Sequence, residues 1–324
     1  MFKTYVQISV LFVLLSSMFS QVSTTALPKS IQAGISSSIP SAILPSVDRA
    51  LLLAEDEVEM SKEIPYRFGT PIEVNYNLQN SGEWEQLSDG KIWRLSIRSA
   101  NAYSINLMYD RFKIPKGSEL YVYDKEMNTV LGAFTHKNNK SHETFSTSPT
   151  KGDITVVEYF EPNDVAFKGE IQINSIVHAY RDIFFNEARG YGDSGSCNNN
   201  VNCSEFSDWD SEIRSVAMIL TSGGSRICTG ALVNNVRQDL TPYFLTANHC
   251  LGGESNWIFM FGYESSGCSN SDGPTYKTVQ GSTLLANSSS SDFALLRLDE
   301  TPPESYNIHY SGWDASGNTP STPV

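Results

Sequence analysis

The chain has 324 residues, of which 40% are hydrophobic, 11% aromatic and 18% charged. That composition supports packed cores and excludes wholesale disorder, and at about 150 residues per domain the length predicts two domains. Lys and Arg number 23 against 36 Asp and Glu, a net charge of −13 at pH 7, and with no local basic patch this excludes sequence-independent nucleic-acid binding.

Residues 1–23 read as a signal peptide. Lys3 supplies a positive start, and residues 6–15 supply an apolar core of the usual length. Gln7, Ser9, Ser16 and Ser17 interrupt the run, which is too short for the roughly 20 residues of a spanning helix. No cysteine precedes Cys197, so a cysteine-linked lipid anchor is excluded. A secreted, extracellular protein is expected, free of the membrane after signal cleavage. Residues 24–64 read as a flexible lead-in, Ser/Pro-rich over 36–46, in which Ser46 caps a short amphipathic helix through 47–53.

From 65 to 185 the pattern has period two. Trp93, Leu95 and Ile97 alternate with Arg94, Ser96 and Arg98; Tyr103, Ile105, Leu107 and Tyr109 repeat the alternation; residues 120–123, 154–159 and 171–173 continue it. Short strands separated by turn signals, with no long helix between them, predict an antiparallel β-sandwich of about a hundred residues. It holds no cysteine. His136, His142 and His178 are scattered and read as surface or strand histidines, not as a catalytic cluster.

Residues 186–202 turn to Gly, Ser and Asn, an exposed domain boundary. Beyond it, six short strands (215–220, 227–233, 243–247, 257–263, 278–285 and 293–298) predict a small antiparallel barrel. All five cysteines fall between Cys197 and Cys268, which in an exported chain reads as disulfides. There is no CxxC pair and no His-x-x-x-His spacing to favour a metal site. The odd number leaves one cysteine without a partner in the chain.

The residues that carry chemistry begin at Phe244-Leu245-Thr246-Ala247-Asn248-His249-Cys250, where an apolar strand ends in a small-residue turn presenting one histidine. A bridge from Cys250 to Cys228 would close a loop worth roughly 3 kcal/mol on the chain-entropy model and pin the strand end that carries the imidazole. A general base needs a fixed position and a fixed tautomer, and a carboxylate on its other nitrogen supplies both. Asp292, opening the apolar run Phe293-Ala294-Leu295-Leu296, is the candidate, partly desolvated against the ring.

Residues 245–250 resemble the histidine motif of trypsin-like, chymotrypsin-fold serine proteases, and residues 292–296 their aspartate motif. The series Gly195-Ser196-Cys197, Cys203, Cys228-Thr229-Gly230, His249, Cys268, Ser291-Asp292-Phe293 and Ser311-Gly312-Trp313-Asp314 is similar in order to bacterial lysyl endopeptidases. The resemblance runs over residues 192–313, and the sandwich is more loosely similar to the pro-segments of such enzymes. It implies an all-β chain: a β-sandwich pro-segment, then, over 190–324, the first barrel of a two-barrel protease fold. It implies His249 as general base, Asp292 as its orienter, bridges Cys228–Cys250 and Cys203–Cys268, and a partner for Cys197 beyond Val324. It also implies a serine endopeptidase acting on proteins or peptides, with Lys or Arg favoured at the cleavage site. No cofactor and a monomeric state are expected.

The pattern breaks after Asp292. Only Ser305, Ser311, Ser316 and Ser321 follow, none in a Gly-x-Ser-Gly setting. The expectation is a chain incomplete at its C-terminus, lacking most of the second barrel and inactive as given. Gly192-Asp193-Ser194-Gly195 spells a serine motif but stands before the histidine, so Ser194 is not read as the nucleophile. Arg189-Gly190 reads as a processing site. The rival reading is a non-catalytic secreted β-rich binding or adhesion protein with a relic barrel, against which the retention of both His249 and Asp292 speaks. Asn139-Lys140-Ser141, Asn202-Cys203-Ser204 and Asn287-Ser288-Ser289 fit glycosylation acceptors.

Overall fold

The computed structural model describes residues 27–35, 38–58, 66–182, 199–269, 271 and 273–315. The signal sequence, Arg189, Ser194, Cys197, Ser316 and Ser321 lie outside the described residues. The chain is all-β. Its first half contains β1 (Ser41–Ile43), β2 (Tyr66–Arg67), β3 (Gly69–Asn77), β4 (Glu83–Gln86), β5 (Gly90–Arg98) and β6 (Ser104–Lys113). These are followed by β7 (Glu119–Asp124), β8 (Val130–Phe134), β9 (Phe145–Ser146), β10 (Thr150–Lys151), β11 (Ile154–Pro162) and β12 (Glu170–Ala179).

They form two facing sheets, ordered β1-β5-β11-β7-β8 with β4 beside β5, and β10-β6-β12-β3 with β9 beside β6. Alternation sends Trp93, Leu95 and Ile97 of β5 into one core with Ile105, Leu107 and Tyr109 of β6. Phe112, Phe134 and Phe145 fill its end, with Phe112 and Phe145 stacked at 4.4 Å. Each such buried ring contributes about 1.5–3 kcal/mol over an exposed one.

The lead-in is more ordered than its composition predicts. β1 pairs in parallel with β5, Ser41 opposite Ser96. The helix α1 (Lys29–Gln32) sits over the outer face of that sheet, where the Ser30 backbone N–H donates to Glu158 Oε1 at 2.9 Å. Tyr123 and Glu158, which lie on the face opposite the core, are buried beside the helix, with Tyr123 Oη donating to Glu158 Oε2 at 3.2 Å. The helix α2 (Arg49–Val58) is capped by Asp48, whose Oδ1 accepts from Leu51 N at 3.1 Å, and not by Ser46. Asp56 on α2 receives Tyr180 Oη, Arg67 and Arg181, each at 2.8 Å, and so ties the helix to the end of β12.

The second half contains β13 (Val216–Leu220), β14 (Ser225–Val233), β15 (Tyr243–Thr246), β16 (Ile258–Phe261), β17 (Thr278–Gln280), β18 (Ser282–Ser288) and β19 (Phe293–Leu298). The sheet order is β17-β16-β13-β14-β15-β19-β18. Its two edges, β17 and β18, are consecutive in the chain and meet at Gly281. The one strand expected over 278–285 is therefore two, turned through a corner at φ +72° that glycine adopts at no steric cost. Gly281 N donates to Trp257 O (2.8 Å) and Asp299 N donates to Gly281 O (3.1 Å), so the sheet curls back on itself there. Inside lie Ala217, Ile219, Leu232, Phe244, Trp257, Phe259, Phe261, Leu296 and Leu298.

The sandwich and the curled sheet share a contact. β2 pairs with β14, and Phe68 and Ala179 pack against Leu220, Ile258 and Met260.

Candidate functional site

β15 places Phe244 inward, fully buried, and Leu245 outward. Thr246 turns inward again and donates through Oγ1 to Thr229 O at 2.8 Å. Ala247 is extended, and one 3₁₀ turn, Asn248–Cys250, follows. β19 runs antiparallel to β15 with Ala294 opposite Thr246. That register sets the residue two places before Ala294 beside the residue two places after Thr246, and Asn248 N indeed donates to Asp292 O at 3.2 Å.

Asp292 closes the hairpin between β18 and β19 at φ +49°, a left-handed conformation that Asp tolerates better than most residues. Its carboxylate grips His249 twice: Oδ1 accepts from the backbone N–H at 2.9 Å and Oδ2 meets Nδ1 at 2.7 Å. A carboxylate only accepts, so Nδ1 carries the proton and the neutral ring keeps its lone pair on Nε2. The hydrogen bond from the His249 ring, then that from its backbone N–H, hold the Asp292 carboxyl below the usual range.

The pair is more open than the sequence predicts. The His249 side chain is 70% exposed and that of Asp292 49%, so desolvation contributes little here. Cys228 and Cys250 form a disulfide from β14 to the His249 turn, and Cys203 and Cys268 form a second. Asn200 Nδ2 donates to Cys268 O (2.8 Å) and Asn202 Nδ2 to Ser265 O (2.6 Å), fastening the same segment. Donor atoms of Cys228, His249 and Cys250 come within 4.8 Å of one another. Both sulfurs are spent on the disulfide, so this set offers a metal only an imidazole.

Among the described residues no serine hydrogen-bonds to His249. Ser311 Oγ donates to Ser215 Oγ at 2.8 Å and its N–H to Leu232 O, tying it to the barrel wall. Sequence reading missed Asn287, whose Nδ2 donates to Asn248 Oδ1 at 2.7 Å and braces the His249 turn from β18. Its acceptor motif was visible, its partner was not. Asn139 Nδ2 likewise donates to Ile114 O at 2.9 Å, so all three candidate glycosylation amides are engaged within the fold. His178 is 2% exposed with Nδ1 2.7 Å from Ser99 Oγ, while His142 lies at the sandwich–barrel seam, 3.4 Å from Asp299.

The model of the lysyl endopeptidase C-terminal domain matches residues 191–324. A lysyl endopeptidase of Pseudomonas aeruginosa is 25% identical over 277 residues, 76% of this chain and 59% of that protein. The alignment is longer than the domain match, so the likeness reaches into the sandwich. The chain spans about three fifths of the length of that relative. It is related to lysyl endopeptidases, which places it among protease-related proteins. Among the described residues no helix is long and apolar enough to cross a membrane.

Proposed function

We propose that the chain is part of a secreted serine endopeptidase precursor in which His249 is the general base and Asp292 its orienting carboxylate. The single observation that carries this reading is the two-point grip of Asp292 on His249, through ring and backbone at 2.7 and 2.9 Å. It fixes the tautomer that leaves Nε2 ready to accept a proton. Relationship to lysyl endopeptidases supports the reaction class, peptide-bond hydrolysis, with Lys or Arg favoured at the cleavage site.

In the proposed reaction a serine outside the described residues attacks the peptide carbonyl while His249 Nε2 takes its proton. The resulting imidazolium is stabilised by ionised Asp292, and the same proton then passes to the leaving amine. The low carboxyl pKa of Asp292 keeps it charged throughout. The sandwich is the pro-segment of this precursor, and Arg189 the processing site.

The test is hydrolysis of Lys- and Arg-terminated chromogenic peptides by the secreted protein in full, beside His249→Ala. Loss of about 10⁴-fold or more in kcat supports the assignment. A parent that hydrolyses neither substrate, or a variant that matches the parent, overturns it and leaves the non-catalytic binding reading, which the openness of the pair favours.

A further inference from the structure

The corner at Gly281, where the curled sheet closes on itself, contains a charge from outside the barrel. A Cβ placed on Gly281 would lie 2.4 Å from Lys140 Nζ, 2.5 Å from Asp299 Oδ2 and 2.7 Å from Ser255 O. Lys140 belongs to the sandwich, in the loop after the turn at His136–Asn138. Its side chain is only 7% exposed, it donates to Gln280 O at 2.6 Å, and it pairs with Asp299 at 3.3 Å. An ammonium withdrawn from water persists only where fixed partners replace its hydration.

The barrel side of this contact is acidic. Asp299 and Glu300 are adjacent carboxylates at the corner, and among the described residues the one ammonium paired with Asp299 is Lys140 of the sandwich, with His142 Nε2, also from the sandwich, 3.4 Å away. From the barrel, Asp299 receives the Thr283 hydroxyl at 3.3 Å. Glu300 receives Asn138 Nδ2, again from the sandwich, at 2.9 Å. Burial pushes its pKa up, and Lys140 pulls it back. Ser148 Oγ meets Thr278 Oγ1 at 2.5 Å beside the same corner.

None of these contacts approaches the His249 turn. Asp292 and Asp299 flank opposite ends of β19, about 20 Å apart at the strand rise of about 3.3 Å per residue.

We propose that, in the unprocessed chain, Lys140 is the pin that closes the barrel. The sandwich acts on the barrel as a scaffold that supplies the missing cation to its closing corner, and not as a plug over His249 and Asp292. The interaction surface is the acidic corner formed by Gln280, Asp299 and Glu300, and its partner is the sandwich of the same chain. This holds whether or not the chain belongs to a hydrolase.

The test is amide hydrogen exchange by mass spectrometry on the full chain and on Lys140→Met, which needs no activity. The expected result is exchange faster by about tenfold or more in 278–288 and 293–299, with the sandwich strands β5 and β11 protected as in the parent. Equal protection of 278–288 in both proteins overturns the proposal. Lys140→Met combined with Asp299→Asn is expected to recover part of the loss, because no uncompensated carboxylate remains; a fully additive loss contradicts it. If Lys140→Met does not fold, Lys140→Arg and the double variant decide: folding of both supports the pin, and failure of both overturns it.

Discussion

His249 Nδ1 stands 2.7 Å from Asp292 Oδ2, and the other oxygen of the same carboxylate takes the His249 backbone N–H at 2.9 Å. One side chain thus sets both the tautomer and the place of the imidazole. It does so from the mouth of a strand that is hydrogen-bonded to the strand carrying the histidine. Removing the charge while keeping the shape separates these two roles. Asp292→Asn is expected to leave the fold intact and lower kcat by about 10⁴-fold, since the amide favours the wrong tautomer. Steady-state kinetics with a matching circular dichroism spectrum check this, and a drop of less than tenfold contradicts it.

Asp292 is held below its ordinary value of 3.8, chiefly by the His249 ring and backbone. Its contribution to stability is therefore complete above that value and is lost only as pH falls below it. Unfolding free energy measured against pH is expected to lose part of that acid slope in Asp292→Asn, and a variant as acid-dependent as the parent below that value contradicts this.

The Cys228–Cys250 disulfide closes a loop of 22 residues at the same turn. Replacing both cysteines with serine is expected to cost about 3 kcal/mol, because the unfolded chain regains the freedom the bridge removed. Denaturant titration measures the loss, and an unchanged midpoint contradicts it.

The sandwich has its own acid sensitivity. Burial lowers the pKa of His178 below its ordinary 6.5, so the folded state binds its proton less readily than the unfolded state does. Its contribution is whole above pH 6.5 and is lost as pH falls below that value. His178→Gln, retaining a partner for Ser99, is expected to flatten the pH dependence of sandwich unfolding in that window. A variant as acid-sensitive as the parent contradicts this.

Glu300 has the opposite sign. Burial raises its carboxyl above the ordinary 4.5, so the folded state holds the proton more tightly and the seam weakens as pH rises from there. Glu300→Gln is expected to remove that slope from the unfolding free energy measured between acid and neutral pH.

The strands of the barrel and the His249/Asp292 pair were legible because both rest on local pattern. Period two marks Phe244 and Leu296 as inward, and the turn after Thr246 carries its motif within seven residues. What escaped depends on pairings that leave no local trace. β1 is a strand only because β5 offers it an edge, and its Ser/Pro-rich surroundings read as flexible. Gly281 breaks one expected strand into two because the sheet must turn there. The burial of Lys140 against Asp299 joins residues far apart in sequence, each an ordinary surface charge when read alone. Asn287 sits in a motif for a different chemistry, which hides its bond to Asn248.

The most direct measurement of the central claim is covalent labelling of the secreted protein in full with a fluorophosphonate, read by intact mass. The account predicts one adduct on a single serine in the parent and a labelling rate lower by orders of magnitude in His249→Ala, since the serine depends on that base. No adduct in the parent, or equal labelling in the variant, would contradict it.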